Sequence, residues 1–143
     1  MTLTRIALAF VCLIFAATTP HSPAPAPPSP KDAIVTPLYS RDLADVPGKE
    51  GLMLTVVYPP GAQDPVHRHN ADGFLYVLEG SIVMQVEGGK EVTLKSGDTF
   101  FEGPSDVHVV GRNASQTEPA KFVVFLVKEK GAPVFVPVDA ATH

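Results

Sequence analysis

Cysteine is nearly missing from this chain: Cys12 is the only one in 143 residues. It follows Phe10 and Val11 inside an N-terminal apolar run. Lipid attachment needs small residues just before the cysteine, so the run is not a lipoprotein signal. Once Cys12 leaves with a leader, no thiol remains. That excludes disulfides and cysteine metal ligands from the mature domain. Clustered positive charge is also lacking. Lys and Arg number 11 against 15 Asp and Glu, for a net charge of -4 and a pI of about 5.6. Nucleic acid and anionic membrane surfaces are therefore poor partners. Helical periodicity is absent apart from a short turn around Arg41 to Asp45. Ser81, Ser96 and Ser105 fall in turns, not on a strand-to-helix elbow, so no nucleophile–base arrangement is present. Gly88 to Lys90 has neither P-loop spacing nor a following helix, so it is no phosphate loop.

What is present begins with a leader. Arg5 gives a short positive region, and Ile6 to Ala17 is unbroken apolar sequence. The run is shorter than the roughly 20 residues that span a bilayer and fits a secretory core segment. Ala16, Ala17 and Thr18 offer small residues for cleavage. Residues 1–19 therefore read as a signal peptide, with an uncleaved anchor as the other reading. Residues 20–33 form a proline-rich linker that opens with "PHSPAPAPPSP", whose proline density favours extended polyproline II. His21 in this linker reads as solvated. The folded domain is expected over residues 34–143, the length of one domain. The mature protein is expected to be secreted or periplasmic, with no membrane attachment after cleavage.

From Gly51 onward the pattern is short strands. "LMLTVVY", "FLYVL", "SIVMQVE", "KEVTL", "TFFE", "VHVV" and "KFVVFLV" are rich in β-branched and aromatic residues, and turn residues separate most of them. The spacing predicts an all-β antiparallel sandwich or barrel. Gly88-Gly89 reads as a two-residue hairpin loop. That register pairs Glu87 with Lys90, Gln85 with Val92 and Val83 with Leu94, and turns Gln85 inward. "LEGS" suits a three-residue turn with Gly80 left-handed, which places Val77, Leu75 and Gly73 on the inner face. The opposite face then carries Ile82, Met84 and Val86, too apolar for water. It predicts a homodimer, or else a cover formed by Ile34 to Tyr39.

His67 and His69 stand at i and i+2 in "HRH". On a strand that spacing sends both imidazoles to one face. The pair alone also suits an exposed face or a hydrogen-bonded turn. A third histidine, His108 in "SDVHVV", strengthens the case for a metal; beyond these three, the domain has only His143. Imidazole suits Zn, Fe, Mn, Ni or Cu.

At these residues the chain resembles the cupin family. "GAQDPVHRHNADGFLYVLEG" supplies Gly61, His67, His69 and Gly80 of the first family motif. "GDTFFEGPSDVHVVGRN" supplies Gly97, Pro104, His108 and Asn113 of the second. The resemblance runs from Gly51 to about Val127. It implies a double-stranded β-helix, a small jelly-roll barrel, with the histidines inward at its mouth, and pairing through sheet faces. Gly103 and Ser105 depart from the second motif, and Asn113 is one residue late. Gly73 departs from the first, standing where the family carries an acidic ligand.

Carry-over therefore gives a divalent transition metal on His67, His69 and His108, with water in the acid's place. Asp72 should point away from the site, and Glu102 reads equally as rim or ligand. Gln85 is expected to face the ligand or to be a satisfied core amide. The apolar residues Leu75, Val77, Val83 and Val92 suggest a small-molecule pocket or simply the filling of a small barrel. Two functions follow: a metal-dependent dioxygenase or isomerase, or a non-catalytic small-ligand binder with no metal or a structural one. "NAS" at Asn113 to Ser115 forms a glycosylation sequon on paper. N-terminal sequencing of exported protein is expected to begin between about Ala17 and Pro28. Full-length chain in the cytosol would count against export.

Overall fold

The computed structural model describes residues 31–139, so the leader, most of the linker and residues 140–143 lie outside the described part. Ten strands and no helix occur among the described residues. They are β1 (Ile34–Asp42), β2 (Lys49–Tyr58), β3 (His67–Arg68), β4 (Ala71–Glu79), β5 (Ser81–Val86), β6 (Val92–Lys95), β7 (Thr99–Glu102), β8 (His108–Asn113), β9 (Ala120–Glu129) and β10 (Val136–Pro137). They form two five-stranded sheets, ordered β1-β2-β9-β4-β7 and β10-β3-β8-β5-β6. Every pairing is antiparallel. This is the all-β antiparallel architecture expected from the strand pattern, and its two sheets fit the jelly roll that the family resemblance implies. The early turn lies slightly later than read: β1 runs to Asp42, and backbone bonds from Val46 to Leu43 and from Lys49 to Val46 close it.

The core lies between the sheets. Period-two alternation puts Leu52, Leu54, Val56 and Tyr58 of β2 inside, with Leu75 and Val77 of β4 and Phe122, Val124 and Leu126 of β9. Each such aliphatic or aromatic side chain contributes about 2 kcal/mol on burial. Gly80 adopts φ 72° between β4 and β5, as the turn reading requires, and Leu75 and Val77 face inward.

The next hairpin corrects the sequence reading. Its observed pairs are Met84 with Val92, Val83 with Thr93 and Ile82 with Leu94. The reason lies in the turn. Gly88, not Gly89, takes the left-handed conformation at φ 74°, and Gly89 N donates to Val86 O, so the reversal centres on Glu87 and Gly88. A one-residue slip moves every side chain to the other face. Ile82 and Met84 are therefore core, at 0% and 4% exposure, and cannot form a docking face. Gln85 turns away from the interior and donates to Gly89 O at 3.0 Å. Ile34 to Tyr39 covers no face either; β1 extends the first sheet along β2 and is exposed at every residue.

The exposed apolar face lies instead on the outside of the first sheet. Tyr39 pairs with Met53, Met53 with Phe125, Phe125 with Phe74 and Phe74 with Phe101. One apolar row thus crosses all five strands, and each member is exposed. Asn113 shows the opposite. It is buried at the end of β8, where its amide donates to Tyr58 O, Pro59 O and Glu118 O at 2.8 to 3.0 Å. Its Oδ1 accepts from Ser115 N. The sequon asparagine is thereby closed to a glycan.

Candidate metal centre

The site forms where the second sheet is narrowest. β3 is two residues long and meets β8 at one register pair, His67 with His108. Their rings stack at 4.9 Å between centroids. Beyond β3 the chain turns at Asn70, at φ 49°, a conformation asparagine tolerates better than most residues. That turn leads into β4 and leaves His69 facing the same space.

Backbone contacts decide how the imidazoles point. His67 Nδ1 lies 2.8 Å from Pro65 O, and His69 Nδ1 lies 2.5 Å from Val134 O. A carbonyl only accepts, so both Nδ1 atoms carry the proton and both Nε2 atoms present lone pairs. Those two Nε2 atoms stand 3.2 Å apart. Two lone pairs facing each other at that range call for a cation between or beside them. The C-terminal segment supplies the far wall. Phe135 stacks on His67 at 4.4 Å, and β10 pairs with β3.

The missing acid is found across the sheet. Gly73 on β4 pairs directly with Glu102 on β7. A Cβ at Gly73 would lie 2.5 Å from Glu102 Cγ and Oε1. Glu102 thus occupies the space that a side chain at position 73 would take. It is 3% exposed, not on the rim. Asp72 pairs with Val127 and, by strand alternation, points to the other face, as expected. Glu102 Oε1 is 3.5 Å from His69 Nε2. Glu102 Oε2 closely approaches His108 Nε2, yet neither atom has a hydrogen-bond partner and both are buried. His69, Glu102 and His108 each offer an atom within 4.8 Å of the others. His67 stands beside this group through its contact with His69. Two of the three expected histidines thus join Glu102 directly, the third flanks them, and Gln85 is not brought to the site.

Electrostatics fit the same picture. Burial lowers the His67 pKa to about 4, with the Pro65 carbonyl opposing and the neighbouring imidazoles assisting, so this ring stays neutral well into acid. Burial pushes the Glu102 carboxyl up. Contact with His108 and the charge available to His108, His69 and His67 outweigh it, leaving the carboxyl below its ordinary value. A carboxylate set among imidazole nitrogens is a donor set that a divalent ion accepts. A cavity of about 420 Å³ opens onto this group, walled largely by Leu54, Val56, Leu75, Phe122, Val124 and Leu126.

The fold has counterparts. A Cupin domain model matches residues 54–126, just over half of the chain. No curated protein matches it. A double-stranded β-helix protein of uncharacterised function from Klebsiella pneumoniae is similar at 20% identity and TM-score 0.60, over 78% of this chain and 90% of its own. An oxalate oxidase, solved with the substrate analogue glycolate, is similar at 26% identity and TM-score 0.58, over 77% and 57%. The DMSP lyase from Ruegeria pomeroyi is similar at 23% identity and TM-score 0.54, over 62% of this chain and 43% of the lyase. This chain thus spans less than half of that lyase. By the family model's span and the two-sheet fold that it accompanies, the chain belongs to the cupin family.

Proposed function

We propose that this protein is an exported cupin that holds a divalent transition metal on His69, Glu102 and His108, with His67 beside them, and acts on a small molecule in the adjoining cavity. The observation that carries this reading is the buried approach of Glu102 Oε2 to His108 Nε2 without hydrogen-bond geometry. Two such atoms left facing each other would be costly, while a shared ion satisfies both. Two imidazoles and one carboxylate form a set that suits oxygen-dependent chemistry at iron, and the carboxylate also suits manganese. A bound ion would supply Lewis acidity toward an oxygen donor of the ligand. The chain's own groups do the rest. Pro65 and Val134 fix the imidazole tautomers, and the apolar walls exclude water.

Elemental analysis and titration of tag-free protein are expected to give close to one ion per chain. His108→Ala should lose most of it. Protein that stays empty in excess Zn, Fe, Mn, Ni and Cu would overturn the reading. Glu102→Ala should weaken metal binding at least about tenfold, the least expected when even an outer partner is lost. Gly73→Glu should weaken it as well, because the new side chain enters the space of Glu102. Combining Gly73→Glu with Glu102→Ala should recover much of the affinity, since one carboxylate then replaces the other.

A second copy of the chain is the partner that the outer apolar row supports. The row is centred on Phe125 of β9, the middle strand of its sheet. A two-fold axis there lays Tyr39 and Met53 of one copy on Phe101 and Phe74 of the other. With 36% to 59% exposure at Tyr39, Met53, Phe74, Tyr76, Leu78, Phe101 and Phe125, the apolar area is on the order of 600 Å² at about 200 Å² per large side chain. A polar rim would bring this to about the 800 Å² per partner of a standard interface. Light scattering is expected to give a dimer, and Phe74→Asp with Phe101→Asp a folded monomer. A wild-type monomer at high concentration would overturn the pairing.

A further inference from the structure

The cavity holds a second polar group that the metal reading does not use. Tyr58 ends β2 and is 1% exposed. Its ring packs edge-on against Phe122, and its hydroxyl donates to Asp64 Oδ2. Asp64 lies in the loop before β3, where its backbone N donates to Gly111 O at 2.8 Å. Gly111 on β8 leaves room for the pair: a Cβ there would stand 3.2 Å from the Tyr58 hydroxyl and 3.5 Å from Asp64 Oδ2. Three parts of the chain thus fix one carboxylate on the cavity wall. The tyrosine contact occupies Oδ2 and leaves Oδ1, the other oxygen, to meet a ligand.

A buried tyrosine needs an acceptor, and a backbone carbonyl would serve at less cost than a carboxylate. The groups facing Asp64 are Tyr58 on β2, His108 on β8 and His69 beyond β3. Burial outweighs them and raises the Asp64 pKa. Burial likewise pushes the Tyr58 phenol well up, so it remains the donor. Asp64 is therefore a carboxylate that gains by taking a proton.

The cavity also restricts what delivers that proton. No lysine or arginine is among its described lining residues, while Asp64 is. A phosphate ester or a second carboxylate on the ligand would meet like charge and no counter-ion beyond the metal. The apolar walls suit a hydrocarbon body. We propose that Asp64 is the proton acceptor for an uncharged, apolar-bodied ligand that carries an ionisable hydroxyl beside a second oxygen, such as a catechol or an enol. The ligand's O–H bond breaks, the proton passes to Asp64 Oδ1, and the electron pair stays on the ligand oxygen. No electron is exchanged with any other group. The proposal rests on the metal reading for the ion that faces this oxygen.

The test uses the zinc-loaded full chain with 4-nitrocatechol, whose absorbance reports its ionisation; zinc has no redox chemistry to confuse the signal. Wild type is expected to hold the ionised probe at a pH at least about one unit below that at which Asp64→Asn does so, one unit being a tenfold change in the ionisation equilibrium. Zinc content should be the same in both. Tyr58→Phe disturbs the same packing but keeps the base, so it should retain the ionised probe. A chain that takes up no zinc overturns the metal reading and this proposal with it. Zinc-loaded wild type that leaves the probe unbound, or Asp64→Asn that ionises it at the wild-type pH, overturns this proposal alone. Equal loss in Tyr58→Phe and Asp64→Asn assigns the effect to packing and overturns it too.

Discussion

A carboxylate buried as deeply as Glu102 constrains everything around it. Alone in an apolar interior it would be protonated or would destabilise the fold by several kcal/mol. Its neighbours compensate in a specific order. β7 delivers Glu102 as its last residue, and Gly73 on the paired strand leaves the volume empty. The chain then reverses at once: Asp106 accepts from Gly103 N at 2.7 Å, and Asp106 N donates to Gly103 O. That tight turn brings His108 back over the carboxylate. The two halves of the second family motif are thus one device, a buried anion and the turn that returns its partner.

The two sheets divide the work. The first sheet supplies Glu102 and most of the apolar floor, while the second carries His67 and His108. What holds the sheets in register near the site is polar. Asn113 ties the ends of β2 and β8 to the loop before β9 through three carbonyls. At the other end, within the first sheet, Lys128 of β9 is buried against Glu50 of β2 and ties it to the following loop by bonding Ala132 O. Such buried networks stabilise little on balance, but fully satisfied they specify one arrangement.

The strands and histidines were legible in the sequence because their signals are local. Alternation over "LMLTVVY" and "KFVVFLV" needs no knowledge of partners, and neither does the i, i+2 spacing of His67 and His69. Glu102 could not be resolved, because a glutamate ending a strand usually meets solvent. Only its pairing with Gly73 makes it interior, and that pairing is set by which strands neighbour each other. A useful signal did exist: an acid missing from one motif and an unassigned acid inside the other. Gln85 was misplaced for a smaller reason. Either glycine of Gly88-Gly89 can take the left-handed position, and the choice decides which face the strand turns inward. The outer row of Phe74, Phe101 and Phe125 was hidden likewise, since alternation identifies two faces without saying which is covered.

The wall made by Val134 and Phe135 has a consequence in time. His69 takes its orientation from a carbonyl 65 positions further along the chain. His67 is stacked by the very next residue, and Val138 N donates to Val66 O on the same strap. A chain still being made therefore has its histidines but not their arrangement. The site comes into being only as the last strand docks. An ion met earlier would find flexible imidazoles of ordinary affinity; one met afterwards finds a finished cage. Which metal such a site would take is thus decided where folding ends, by the ions available there, rather than where synthesis begins.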